Sequence, residues 1–220
     1  MKLLRTVSAF AHPLVAVVSL CLAAQGAHAQ VVNAMVCGPL KSGYGPFDYR
    51  TVSSDARHRV EDYHFTPDVE MLRKGASTAY LAGDLDYTLR ALPNSPRALL
   101  AMSRESAKEK RDTPVGAHYS AECYFERAIR FVPDDPMPHV LYASFLKDRK
   151  RIDEARAQLD AAAELRGEQT NFDLDYNLGV LYFDLGQYDK SLDAAKRAYA
   201  LGAPLPALMK KLKAAGKWTD

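Results

Sequence analysis

The chain has 220 residues, of which 48% are hydrophobic and 25% charged, with a formal net charge of +2. Lys2 and Arg5 are the only charges in residues 1–29, so the remaining 191 residues are formally neutral. That balance argues against general nucleic-acid or anionic-membrane binding, which needs a clustered basic surface; the Lys-rich C-terminal helix is the one local exception. The three cysteines show no CxxC, CxxCH or Cys/His metal spacing, which excludes the common sequence-readable redox, haem and zinc motifs.

Residues 1–29 combine a basic start, an apolar stretch at 14–24 and the small-x-small ending Ala27-His28-Ala29, the pattern of a cleavable secretory signal cut after Ala29. The apolar stretch has about eleven residues where a spanning helix needs about twenty. Stable membrane insertion is therefore not expected. Leu20 and Val36 precede Cys21 and Cys37 where a lipoprotein signal needs Gly or Ala, so the expectation is a soluble, periplasmic or secreted protein. Cys37 and Cys123 then sit in an oxidising compartment. A single disulfide between them would tie the N-terminal segment to the rest; a buried thiol at Cys123 is the alternative.

Residues 30–65 form an irregular, aromatic-rich segment. Gly38-Pro39 and Gly45-Pro46 punctuate it, and no helical period is visible. Tyr44, Phe47, Tyr49, Tyr63 and Phe65 supply more aromatic surface than a disordered linker carries, so the segment is expected to be ordered. It either caps the first helices or forms a docking surface.

Helical patterning begins at Thr66-Pro67-Asp68, with Val69, Leu72, Ala76, Ala79 and Tyr80 at helical spacing and Gly83 as the expected stop. Asp84 is expected to cap a short helix through Leu85, Leu89 and Leu92, ended by Pro93-Asn94. Ser95 and Pro96 then start a helix over about 97–111. An insertion around Asp112-Thr113-Pro114 follows, and a helix over 116–132 carries Ala121, Phe125 and Ala128 in small, large, small order before Pro133.

Residues 175–203 read D-Y-N-L-G-V-L-Y-F-D-L-G-Q-Y-D-K-S-L-D-A-A-K-R-A-Y-A-L-G-A. Leu178, Tyr182 and Leu185 follow i, i+4, i+7, and Leu192, Ala195 and Tyr199 do the same after the Gly186 turn. Gly179, Ser191 and Ala198 are small where two antiparallel helices must approach closely. Thirty-six residues earlier, Ala143 and Ala162 occupy the places of Gly179 and Ala198, with Lys150-Arg151 at the turn. The run 175–203 resembles one tetratricopeptide repeat, a helical hairpin that stacks into arrays. The resemblance covers about 116–202 well and 67–111 less regularly. It implies an all-α, right-handed superhelical solenoid over 66–202 with an irregular N-terminal extension. After the last repeat, Leu205, Leu208, Met209 and Leu212 line one side of a segment whose other side carries Lys210, Lys211, Lys213 and Lys217, the expected C-terminal capping helix of 203–220.

In this family, ligands lie along the concave surface made by the first helix of each hairpin. The repeat register places Arg97, Leu100, Arg104 and Lys108 there, then Val140, Leu141, Ser144 and Lys147, then Asp173, Tyr176, Asn177, Val180 and Phe183. The family's peptide-carboxylate clamp is matched only at Asn177, so a partner offering an extended or helical segment with apolar anchors and some acidic groups fits better. No nucleic acid, cofactor or metal is expected.

Chemistry is sparse. His58, His64, His118 and His139 sit in no HExxH, and no GxSxG or P-loop accompanies them. Asp84 and Asp86 read as a negative first helical turn rather than a catalytic pair. The expectation is a non-catalytic periplasmic scaffold that mediates protein–protein contact in a cell-envelope assembly such as pilus, secretion or exopolysaccharide machinery. Two alternatives stand beside it. One is an enzyme or metal-binding protein with its site in the N-terminal segment, on His58 and His64; the other is a structural subunit that oligomerises through its C-terminal helix.

Overall fold

The computed structural model describes residues 37–167 and 171–218. The expected signal segment, Cys21 and residues 30–36 lie outside the described residues. Cys37 to Pro39 belong to one unit of the chain and Leu40–Asp220 to another, and the fold described below is that of the second. Among the described residues the chain is all-helical, with ten helices and no strand.

The segment expected to be irregular contains the first helix, α1 (Ser54–His64). Ser53 caps it by accepting from the Ala56 N–H, and Asp55 lies in the first turn, where negative charge is favoured. Its single buried residue is Val60, so no apolar stripe marks it in the sequence. Tertiary contact holds it instead: Val60 packs with Ala91 and Leu92, and Tyr44, Phe47, Tyr49 and Val52 close over the same cluster. The aromatics of residues 44–52 thus lie as a strap over the first helices.

The helix expected from Pro67 to Gly83 is only one turn long, α2 (Pro67–Glu70). The cause lies in the next element, α3 (Leu81–Ala91). Asp84, fully buried there, takes the backbone N–H groups of Ala76, Ser77 and Thr78 at 2.7, 3.2 and 3.2 Å. Those N–H groups therefore never join a helical ladder. Asp84 satisfies the preceding loop rather than capping its own helix, and Gly83 lies inside α3 instead of stopping α2. A Cβ on Gly83 would meet Thr78 Oγ1 at 2.7 Å.

The remaining helices follow the expected order. They are α4 (Pro96–Glu109), α5 (Ala121–Phe131), α6 (Pro136–Asp148), α7 (Ile152–Arg166), α8 (Phe172–Asp184), α9 (Tyr188–Ala200) and α10 (Ala207–Ala214). Pro96 opens α4 at its first position, as expected. α5 begins five residues later than the expected Gly116. Asp86 binds the His118 ring at 2.8 Å and its N–H at 3.4 Å, which holds the loop out, and Ser120 supplies the cap.

Pairs α6/α7 and α8/α9 are hairpins with three-residue turns, and α4, α6 and α8 lie side by side. Two bonds establish that these three run parallel. Asn94 Nδ2 donates to Asp135 Oδ2 at 2.8 Å, joining the starts of α4 and α6; Lys147 Nζ lies 3.1 Å from Asp184 Oδ2, joining the ends of α6 and α8. One continuous core runs beneath them, through Leu89, Leu99, Phe125, Phe145, Leu159 and Leu178. A smaller cluster of Ala195, Leu208 and Leu212 seats α10 on α8 and α9. Burying each of those two leucines contributes about 1.5–3 kcal/mol.

Candidate interaction surface

The row α4, α6, α8 presents the residues that the repeat register assigned to a groove, and the structure divides them into three kinds. The first are charges already matched within the chain. Arg97 is exposed, yet its Nε donates to Glu70 Oε1 at 2.7 Å, a second bond joins its NH2 to Glu70 Oε2, and its guanidinium lies 5.3 Å from the Phe65 ring centroid. The bonded Arg97 holds the Glu70 carboxyl below its usual range against a smaller opposing effect of burial. Lys147 is held by Asp184, whose other oxygen lies 3.2 Å from Lys211 Nζ of α10. Burial pushes the Asp184 carboxyl up, but Lys147 and Lys211 outweigh it and the net direction is down.

The second kind faces the core or the C-terminal cap. Val140 is 1% exposed and belongs to the core, which corrects its placement in the groove. Tyr176, Val180 and Phe183 pack against the Ala195–Leu208–Leu212 cluster. Tyr176 meets Tyr199 edge-on at 6.5 Å, and Phe183 meets Tyr188 at 5.3 Å with Lys211 Nζ 5.6 Å from its ring. Much of the aromatic surface expected to receive a partner is therefore in contact with the chain's own last helices.

The third kind remains open. Arg104 is exposed and makes no ion pair among the described residues, although its charge is felt at Glu70. Asn177 is exposed, its Nδ2 donating to the Asp173 carbonyl at 2.8 Å. Leu100, Leu141 and Ser144 are half-buried between them. The open surface is a shallow polar and aliphatic strip with Arg104 at one end and Asn177 toward the other.

A cleft of about 490 Å³ opens elsewhere, between α7 and α9, lined by Asp160, Glu164, Tyr182, Lys190, Asp193 and Arg197. Its charges are largely engaged with one another or with the core. Lys190 Nζ is 2.6 Å from Asp160 Oδ1, and Arg197 Nε donates to the buried Asp175 at 2.9 Å.

His58 and His64 lie six residues apart on α1, about 240° around the helix. They do not converge. His64 Nδ1 is 2.8 Å from Asp84 Oδ1 and its ring stacks on Tyr87 at 3.8 Å, so it is fixed by groups from α3. Asp86, two residues along α3, diverges from Asp84 to receive His118, Arg90 Nε at 2.9 Å and the Tyr124 hydroxyl at 2.5 Å. Burial first, then the Asp86 charge, raises the Tyr124 hydroxyl's pKa. Among the described residues no group of three or more His, Cys, Asp or Glu side chains is placed to hold a metal ion. Cys37 and Cys123 are both buried and both disulfide-bonded.

Sequence reasoning missed the buried carboxylates. Asp175 is fully buried and takes Arg166 through two bonds, 2.6 and 2.9 Å, besides Arg197. The available signal was an aspartate set between Leu174 and Leu178, on the face that the apolar period assigns to the core.

No protein-family model matches the chain, and no curated protein matches it.

Proposed function

We propose that the protein is a non-catalytic adaptor of the cell envelope, a right-handed solenoid of tetratricopeptide-like hairpins that receives a segment of a partner protein on the strip formed by α4, α6 and α8. The observation that carries the reading is the parallel row itself, in which three hairpin-first helices stand side by side with their starts and ends cross-bonded. A surface of this kind offers graded contact over several helices and no chemistry. Arg104 and Asn177 are its open polar ends, and the half-buried Leu100 and Leu141 supply apolar contact between them. Export through the N-terminal signal supplies the compartment.

Photo-crosslinking in the living envelope tests it. A crosslinking residue at Arg104 or Asn177 is expected to capture one and the same protein, while one at Asp153 on α7, almost fully exposed, captures none. Capture from neither strip position defeats the reading. Tyr176 is a poorer probe, being packed against α9. Oligomerisation through the apolar face of α10 has less support, because Leu208 and Leu212 are fully buried within their own chain. A site on His58 and His64 has less as well, because the two face apart.

A further inference from the structure

At the first turns of α4, α6 and α8 the strip ends in a pocket of about 190 Å³. Pro96, Pro136, Met137 and Leu174 give it an apolar lining, and Tyr49 and Arg50 of the strap contribute the rest of its wall. Helical spacing carries the pocket into the strip. Pro96 precedes Leu100 and Arg104 by four and eight residues, Met137 precedes Leu141 and Ser144 by four and seven, and Leu174 precedes Asn177 by three. The strap is thus a cap that also lines one end of the strip.

The pocket offers few donors. Helix starts ordinarily present free N–H groups that suit an anion. Here Pro96 and Pro136, in the first turns of α4 and α6, have none. The Met137 N–H is taken by Asp135, and those of Asp173 and Leu174 by Asn171. Arg50, the one cation in the lining, is shared among Asp48 at 2.8 Å, Asp134 at 3.1 Å and Asp135 at 3.9 Å. Asn94 directs its Nδ2 to Asp48 and Asp135. Acceptors, by contrast, are left over. The Asp134 side chain is 74% exposed, and Asp173, in the first turn of α8, is exposed with no ion pair among the described residues. Ser95, between the lining residues Asn94 and Pro96, is fully buried and its hydroxyl has no hydrogen-bond partner.

We propose, building on the adaptor reading, that this pocket takes a Lys or Arg side chain of the partner's segment. The methylenes of that side chain lie against Pro96, Pro136, Met137 and Leu174, and its charged head turns to the Asp134 and Asp173 carboxylates. An acidic side chain in the same place meets Asp48, Asp134, Asp135 and Asp173 against a single arginine. A basic residue at the helix starts and acidic groups toward Arg104 give the segment one direction along the strip.

The test selects a phage-displayed library of random dodecapeptides on the full exported chain. Enriched peptides are expected to carry Lys or Arg at one fixed position. A synthetic copy of the most enriched peptide, followed by fluorescence anisotropy, is expected to bind about tenfold more weakly when norleucine, an uncharged alkyl side chain, replaces that residue. Its affinity falls as salt rises. Asp173→Lys and Tyr49→Ala are each expected to weaken binding by about tenfold, the first with Tm unchanged because its side chain is exposed and unpaired. Asp193→Lys, in the cleft between α7 and α9, leaves it unaltered. No enrichment, enrichment without a fixed basic residue, or full affinity in Asp173→Lys overturns the proposal. So does weakening by Asp193→Lys, which would move the site to the other cleft. Any of these results, obtained while crosslinks at Arg104 and Asn177 still capture one protein, removes the pocket and leaves the adaptor reading standing; failed capture at both positions is the separate failure of that reading.

Discussion

Leu208 stands where a side chain on Gly179 would have to go. A Cβ on Gly179 would lie 2.6 Å from Leu208 Cδ2, with the Ala195 N and Ser191 O of α9 at 3.4 Å on its other sides. Three helices, α8, α9 and α10, meet at a point that has no room for one methyl group. Leu208 is fully buried, so any shift of its Cδ2 must be taken up by the side chains packed around it. Gly179→Ala is therefore expected to destabilise by about 1 kcal/mol, the overpacking cost of 1–3 kcal/mol exceeding the helix-propensity gain of about 1. Leu208→Ala alone costs about 2–4 kcal/mol. In that background Gly179→Ala becomes neutral or stabilising, and a double-mutant cycle in urea reads the reversal.

The Asp175 carboxylate is the charge most completely removed from water in the second half of the chain, and two guanidinium groups converge on it. Removing it strands Arg166, whose side chain is only 13% exposed. Asp175→Ala is expected to cost about 3–5 kcal/mol. Arg197→Ala, at a side chain 41% exposed, costs far less. Comparable losses from the two variants would show that the pair is solvated.

The strap of residues 44–52 is secured by Asn94, which accepts the Tyr49 N–H and donates to Asp48 and Asp135, each at 2.8 Å. Asn94→Ala is expected to raise amide exchange across 44–52 while that of α8 and α9 stays unchanged. Uniform loss of protection would contradict a locally held strap.

Acid should loosen the same place. The Arg50 guanidinium, opposed by burial and aided by Asn94, holds the Asp48 carboxyl at about 2, below its ordinary 3.8. A depressed carboxyl stabilises above its unfolded value, and that contribution is lost as pH falls toward 2. Arg50 is more than a third exposed, so solvent reduces the effect to about 1 kcal/mol. The stability difference between the protein and its Asp48→Asn variant should be largest above about pH 5 and close as pH falls to 2. A constant difference across that range would refute the assignment.

The two buried, disulfide-bonded cysteines are expected to be joined to each other, since the chain has only three. A peptide map without reductant should recover Cys37 and Cys123 as one linked pair, and reduction should lower stability by about 2–4 kcal/mol.

The hairpins α6/α7 and α8/α9 were legible because their signal is local. Gly179, Ser191 and Ala198 recur at intervals that a single pair of helices imposes, and Ser191 Oγ donates to the Gly179 carbonyl at 2.7 Å as that closeness allows. α1 was not legible. Its one buried residue gives no period, and what holds it lies around residue 91. α2 was overestimated because Leu72, Ala76 and Ala79 keep a helical spacing, while the partner that ends the helix, Asp84, comes later in the chain. For the surface, the repeat register assigned residues to α4, α6 and α8 but could not separate the open Arg104 from the paired Arg97, or the exposed Asn177 from the core residue Val140.

By itself the sequence determined the helical class, the order of the hairpins and where their backbones must come close, because apolar period and small-residue spacing are properties of one or two turns of chain. Only the tertiary structure decided which groove charges are already neutralised, where Asp84, Asp86 and Asp175 find their partners, and that α10 covers much of the last hairpin's aromatic face. Ion pairs and burial depend on residues twenty to forty positions away, and their outcome follows from which helices become neighbours.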